Sequence, residues 1–341
     1  RQSCIAKNPM KNLLILYFVA ATMGVQAQIP QITLNGHYLK SLKKHRLAIR
    51  DNSDLYINDD DSTALFYYVL VPNKQVKGLV VMLPSTGEQV EEVFNSNQKL
   101  ITLAYDKGMM TIVPSINYNL CLEETALQFL NVAFSDAIEK YNPPLKKIVI
   151  GGFSLGGMNA IRYTEMAYED SSKTIIRPIA VYGVDPPLDM ASLYYTFART
   201  IEKNVSSVAV QEAKSYLDKM NSLFGGNPEK YARKYIHYSM YSRNQPKGGN
   251  ANFLKLIPVR IYSDPDIDWY LKNRQVDLYD MNALNQTAMI NELHQMGNDR
   301  AEFISALGKG YRPNGMRHPH SWSIVEPVDC INWIMKCVNS H

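Results

Sequence analysis

A serine set between glycines stands where an apolar run gives way to a helical pattern. The segment Lys147–Ala160 reads KIVIGGFSLGGMNA, and within it Gly152-Phe153-Ser154-Leu155-Gly156 forms a G-x-S-x-G pattern. The chemistry this suggests is nucleophilic. A serine at the apex of a tight strand-to-helix turn is held in a strained backbone conformation with its Oγ projecting into a site. Glycines two residues to either side let strand and helix approach without a Cβ clash. Gly151 and Gly157 extend that room. The helix that follows aims its N-terminal amides and positive dipole end at the place where an oxyanion would form. The other glycine-loop chemistry, phosphate binding, lacks its residues: there is no Gly-Lys-Ser/Thr ending and no G-x-G-x-x-G.

A serine needs a base to become a nucleophile. Of seven histidines, His37 and His45 precede the sheet pattern, His237 falls in a helical stretch, His294 lies within a helix and His341 is terminal. His318 and His320 remain, in Arg317-His318-Pro319-His320-Ser321-Trp322, between the last strand pattern and the last helix. We favour His320, because Pro319 fixes the backbone before it and Trp322 can pack beneath it; His318 is the alternative. The base needs a carboxylate to fix its tautomer. After the apolar run Val259–Tyr262 come Asp264, Asp266 and Asp268 on one strand-end loop. Asp266 ranks first, since Asp264 suits a cap of the Pro265 turn and Asp268 an N-cap. Asp185, followed by Pro186-Pro187, is a further candidate that reads more readily as a structural turn. Oxyanion donors are expected from the Leu155 amide and from Ser85 or Thr86, because Pro84 has no N–H.

The elements that must position these groups are legible as an alternation. Strands are expected at Ala64–Val71, Gly78–Leu83, Met110–Pro114, Lys147–Gly151, Pro178–Val184, Val259–Tyr262 and Ala301–Leu307. Helical patterns fall at Glu91–Lys107, Glu123–Tyr141, Gly156–Tyr168, Asp277–Met296 and from Pro327. Short, near-continuously apolar strands alternating with helices imply a parallel sheet covered on both faces. Between about 189 and 250 the rhythm changes to consecutive tyrosine-rich helices, read as an insertion over the carboxyl edge of the sheet, where open α/β sheets bind ligands.

On these residues the chain resembles the α/β-hydrolase superfamily over roughly residues 64–340. The likeness rests on the elbow Gly152–Gly156, the order Ser154, Asp266, His320, and a helical insertion after Val184. It implies a mostly parallel eight-stranded sheet flanked by helices, with Ala64–Val71 antiparallel to its neighbours, hydrolysis through an acyl-enzyme, and no cofactor; the insertion itself reads as a helical lid, with extra helical packing as the alternative. The superfamily's usual His-Gly after the third strand is replaced here by Pro84-Ser85, and the His-Gly-Gly-Gly form is absent.

Composition narrows the partners. The 341 residues carry a net charge of +4 with acidic and basic residues interspersed, which gives no argument for nucleic acid. The cluster Lys40, Lys43, Lys44, Arg46 is expected on an early strand or turn. Lys11, the apolar run Leu13–Met23 and Val25-Gln26-Ala27 have the layout of a signal peptide cleaved before Gln28, with Met10 as an alternative start. The run is too short for a membrane anchor, so a secreted or periplasmic domain over 28–341 is expected. Cys121, Cys330 and Cys337 have no metal-ligand spacing, and Cys330 and Cys337 lie too far apart on one helix to bridge; buried free thiols are expected. The expected substrate is a small-molecule or polymer-linked carboxylic ester. A serine peptidase of the same fold, or a non-catalytic binding protein on this scaffold, are the competing readings.

Overall fold

A computed structural model of the chain describes residues 31–50, 55–57 and 64–340. The signal-peptide reading, Cys4 and His341 lie outside the described residues.

In chain order the elements are α1 (Gly36–Lys40), β1 (Leu42–Arg50), β2 (Ala64–Leu70), β3 (Gly78–Leu83), α2 (Val90–Ser96), α3 (Gln98–Asp106), β4 (Met109–Pro114), α4 (Glu124–Tyr141), β5 (Ile148–Phe153), α5 (Leu155–Glu169) and β6 (Ala180–Val184). Three helices follow: α6 (Met190–Lys203), α7 (Ser207–Phe224) and α8 (Pro228–Tyr238). The chain then completes β7 (Val259–Ser263), α9 (Ile267–Arg274), α10 (Asn282–Gln295), β8 (Ala301–Ser305) and α11 (Pro327–Asn339).

The strands form one eight-stranded sheet in the order β1-β2-β4-β3-β5-β6-β7-β8. β2 runs antiparallel to β1 and β4, and every other pairing is parallel. β3, β4, β5, β6 and β7 are buried at every position, as strands covered on both faces must be. Their continuous apolar runs made them readable.

Departures from the sequence reading are local. The helical pattern Glu91–Lys107 is two helices broken at Asn97, whose non-helical backbone (φ −120°, ψ 22°) is held by its own amide on the Val93 carbonyl at 2.9 Å. The basic cluster belongs mainly to β1, the edge strand, where Lys43, Lys44 and Arg46 discourage pairing with a second sheet. The pattern Asp277–Met296 divides into a 3₁₀ turn at Leu278–Asp280 and α10. Cys121, Cys330 and Cys337 are buried and unpaired, as expected. Among the described residues, no helix is long and apolar enough to cross a membrane.

Candidate active site

Ser154 joins β5 to α5 in a backbone conformation that side chains rarely adopt, φ 52° and ψ −114°. Two bonds hold it there: its N–H donates to the Val184 carbonyl at 2.9 Å, and its own carbonyl accepts the Met158 N–H at 3.0 Å to start the helix. The turn closes only because of its glycines. A Cβ on Gly152 would lie 2.4 Å from the Gly156 carbonyl carbon, and one on Gly156 would lie 2.1 Å from the Leu83 carbonyl oxygen. These are backbone contacts with nothing flexible to yield. Ser154 Oγ makes no hydrogen bond within the described residues; the serine lines a cavity of about 400 Å³ together with His320, His318 and Thr86.

His320 faces that cavity from the loop after β8. Its ring packs on Phe153, the residue before the serine, with centroids 4.6 Å apart, and Phe153 also contacts Trp322. His320 Nδ1–H donates to Asp185 Oδ2 at 2.6 Å. With Nδ1 carrying the proton, Nε2 keeps a lone pair, as a general base requires.

The carboxylate that meets His320 is thus Asp185, just after β6, whereas Asp266, the acid ranked first from sequence, does not reach the ring. Asp266 caps α9 by accepting the Trp269 N–H at 3.0 Å and pairs with Arg317 at 2.6 Å. Asp264 is buried beneath the loop, accepting the amides of Gly308 at 3.0 Å and Gly310 at 2.8 Å and pairing with Arg317 at 2.8 Å. Asp268 lies in the first turn of α9 and is exposed, and the N-cap role expected of it belongs to Asp266. Asp264 and Asp266 thus brace the segment before the histidine through Arg317 without touching the imidazole.

Asp185 is built for its contact. Its φ of 45° turns the chain sharply after Val184, and its N–H donates to the Tyr262 carbonyl at 2.8 Å. Oδ1 accepts from Gln286 Nε2 at 2.9 Å and from Ser263 Oγ at 3.3 Å, while Asn282 Nδ2 reaches its backbone carbonyl at 3.0 Å. Burial opposes its ionisation, but the hydrogen bond and charge of His320, with the Gln286 and Ser263 bonds, outweigh it and hold the carboxyl below its ordinary pKa. Gln286 and Asn282, one turn apart on α10, were not anticipated. Polar residues four apart on a helix facing a strand end are the only trace they leave in sequence.

His318 is close by but differently engaged. Its Nδ1–H donates to the His320 carbonyl at 3.1 Å, and its Nε2 accepts from Arg274 Nη2 at 3.2 Å and Arg312 Nη2 at 3.4 Å. Burial first, then the charges of Arg312, His320 and Arg274, push its pKa down to about 3. Its accepting nitrogen already faces two donors.

Of the two expected donors after β3, Ser85 is committed elsewhere: its amide donates to Glu88 Oε2 at 2.8 Å. Thr86 stays at the cavity, with its Oγ1 accepting from Tyr216 of α7 at 2.8 Å. Leu155 is the first residue of α5, so its amide has no partner within the helix. Glu88, also unanticipated, ties two loops together, because its Oε1 accepts from Trp322 Nε1 at 2.7 Å. Burial pushes its pKa up to about 7.

The helices after β6 contribute much of the cavity wall. Leu193, Phe197 and Lys203 of α6 and Glu212 and Tyr216 of α7 face the same space. Phe197 and Tyr216 stack in parallel, with centroids 5.0 Å apart.

With strand order and elbow in view, comparison with solved structures is decisive for the architecture. The chain matches a fungal esterase from Rhizomucor miehei with a TM-score of 0.55 at 12% identity, covering 88% of this chain and 85% of the other. The chain has the α/β-hydrolase fold. Carboxyl esterase 2 from the mycorrhizal fungus Tuber melanosporum matches with a TM-score of 0.53 at 15% identity, covering 87% and 85%. Esterase B from Lactobacillus rhamnosis matches with 0.53 at 12% identity, covering 88% and 89%. The sequence matches no protein-family model and no curated protein sequence. At these identities the likeness is one of fold, and the chemistry must be argued from the geometry of the site itself.

Proposed function

We propose that the protein is a serine hydrolase that cleaves carboxylic esters through Ser154, His320 and Asp185. One observation carries this reading. The serine on a strained elbow shares a cavity with an imidazole whose Nδ1–H is bound by a buried carboxylate at 2.6 Å.

In this mechanism His320 Nε2 takes the Ser154 hydroxyl proton as Oγ attacks the ester carbonyl carbon. Asp185 stabilises the imidazolium that forms and keeps its ring oriented. The amides of Leu155 and Thr86 donate to the tetrahedral oxyanion, a contribution of typically about 10²–10³ in rate for each donor. His320 then protonates the leaving alcohol, and the acyl-enzyme is hydrolysed by a water that His320 activates. The α6–α8 segment acts as a lid, its apolar side chains and the tether from Tyr216 to Thr86 shielding the oxyanion from water.

The ester-cleaving reading gains support from the esterases that share the fold. Export is part of the same proposal and rests on Leu13–Met23; a mature chain beginning at Gln28 on N-terminal sequencing is its test. The activity is tested with a panel of chromogenic esters and aminoacyl amides against wild type and Ser154→Ala. Ester turnover lost in the variant is the expected result. Amide turnover exceeding ester turnover favours a peptidase, and equal activity of the two proteins removes Ser154 from the mechanism.

A further inference from the structure

Two guanidinium groups line the cavity without an ion-pair partner among the described residues. Arg274, on the last turn of α9, and Arg312, in the loop after β8, both donate to the same atom, His318 Nε2, at 3.2 and 3.4 Å. That nitrogen can only accept. The Nδ1 of the same ring faces the His320 carbonyl at 3.1 Å and must carry the proton. The acceptor that the two arginines share is therefore a neutral imidazole, which orients them and cancels none of their charge.

Neighbouring arginines are treated otherwise. Arg317, five residues after Arg312, is paired with both Asp264 and Asp266, and Arg199 of α6 is paired with Asp280. Neither Arg274 nor Arg312 forms an ion pair with a carboxylate among the described residues. Glu212 of α7, which lines the same cavity, and Glu88 attract Arg312 from a distance without forming an ion pair with it. Each guanidinium has five N–H donors in a planar fork suited to a carboxylate or phosphate, and each spends one side-chain donor on His318. Two like charges this close, one of them half-buried, repel each other. The arrangement becomes favourable once an anion sits between them.

We propose that Arg274 and Arg312 form an anion subsite of the hydrolase, so that the preferred ester carries a carboxylate beside its scissile bond. His318 is a positioning residue that holds the two forks apart at a fixed angle. The apolar wall formed by Leu193, Phe197 and Met158 takes the rest of the substrate. This inference rests on the ester-hydrolase reading above and deepens it by naming the substrate class.

The test uses two matched pairs of esters. The first, 4-nitrophenyl pentanoate against the 4-nitrophenyl monoester of glutaric acid, places the charge on the acyl side. The second, 4-carbamoylphenyl acetate against 4-carboxyphenyl acetate, places it on the alcohol side. In one pair, wild type is expected to favour the anion by roughly 10- to 100-fold in kcat/KM, the range of a charge-assisted hydrogen bond. That ratio should collapse in Arg274→Gln and Arg312→Gln, mainly through KM, while Arg312→Lys keeps part of it. No anion preference in either pair, or a preference that survives in the double glutamine variant, overturns the subsite. Should no ester be turned over, the hydrolase reading fails and the subsite is read separately by titrating glutarate in a calorimeter. Binding that the double variant loses supports it, and no binding to wild type overturns it.

Discussion

His320 donates its Nδ1–H to Asp185 at 2.6 Å, joining a loop after β8 to the tip of β6 across 135 residues of sequence. Asp185 thus follows the strand next to the one that leads to Ser154, and a hydrogen bond from Ser154 N–H to the Val184 carbonyl links the two strand tips directly.

The first consequence separates the acids. Asp185→Asn keeps the shape but presents an amide to His320 and favours the wrong tautomer, so kcat should fall by about 10⁴. Asp266→Ala should leave kcat within about tenfold and instead cost about 1–2 kcal/mol of stability through the lost α9 cap and Arg317 pair. Steady-state kinetics and thermal melts of the two variants check this; a reversed pattern would return the catalytic role to Asp266.

The two histidines separate in the same way. His320→Ala should lose several orders of magnitude in kcat, as removal of a triad base does elsewhere. His318→Ala should act chiefly on KM for anionic esters, because what it releases is the pair of arginines. Retained turnover in His320→Ala would move the base to His318.

Glu88 should write a pH dependence on stability. Its pKa rises from an ordinary 4.5 in the unfolded chain to about 7 in the fold, so the native state holds a proton that the unfolded state has already lost. Its contribution is fully present below the unfolded value and is lost as pH rises through the folded one. Between about pH 5 and pH 7.5 the wild-type Tm should fall by a component that Glu88→Gln lacks. Parallel Tm-against-pH curves for the two proteins would remove Glu88 as the source.

Gly156→Ala tests the elbow itself. The new Cβ would stand 2.1 Å from the Leu83 carbonyl oxygen, forcing β3 and α5 apart at a cost of about 1–3 kcal/mol. The loop carrying Thr86 follows directly from β3, so activity should fall further than stability does. Melting temperature and kcat measured on one preparation give both readings, and a variant with unchanged Tm would contradict the packing argument.

Most of the fold was legible because parallel strands buried on both faces write continuous apolar runs, as in Gly78–Leu83, and because Ser154 sits in a motif whose glycines are required by contact. Asp185 was harder to read. A carboxylate at a strand end before Pro186-Pro187 looks like a turn, and three acids on the loop after β7 satisfied the same chain order. In three dimensions Arg317 occupies Asp264 and Asp266, and His320 bonds Asp185 instead. Glu88 and the Arg274–Arg312 pair act across elements remote in sequence, so no local spacing announces them, and Gln286 leaves only its four-residue spacing from Asn282.

The proposed mechanism requires Ser154 to be a nucleophile activated through His320 and Asp185. The most direct measurement is mass spectrometry of the protein after exposure to an organophosphate that traps serine hydrolases, such as diethyl 4-nitrophenyl phosphate. A single phosphoryl adduct on Ser154 is expected, formed much more slowly in His320→Ala and Asp185→Asn. An unmodified Ser154, or labelling at the same rate in all three proteins, would contradict it.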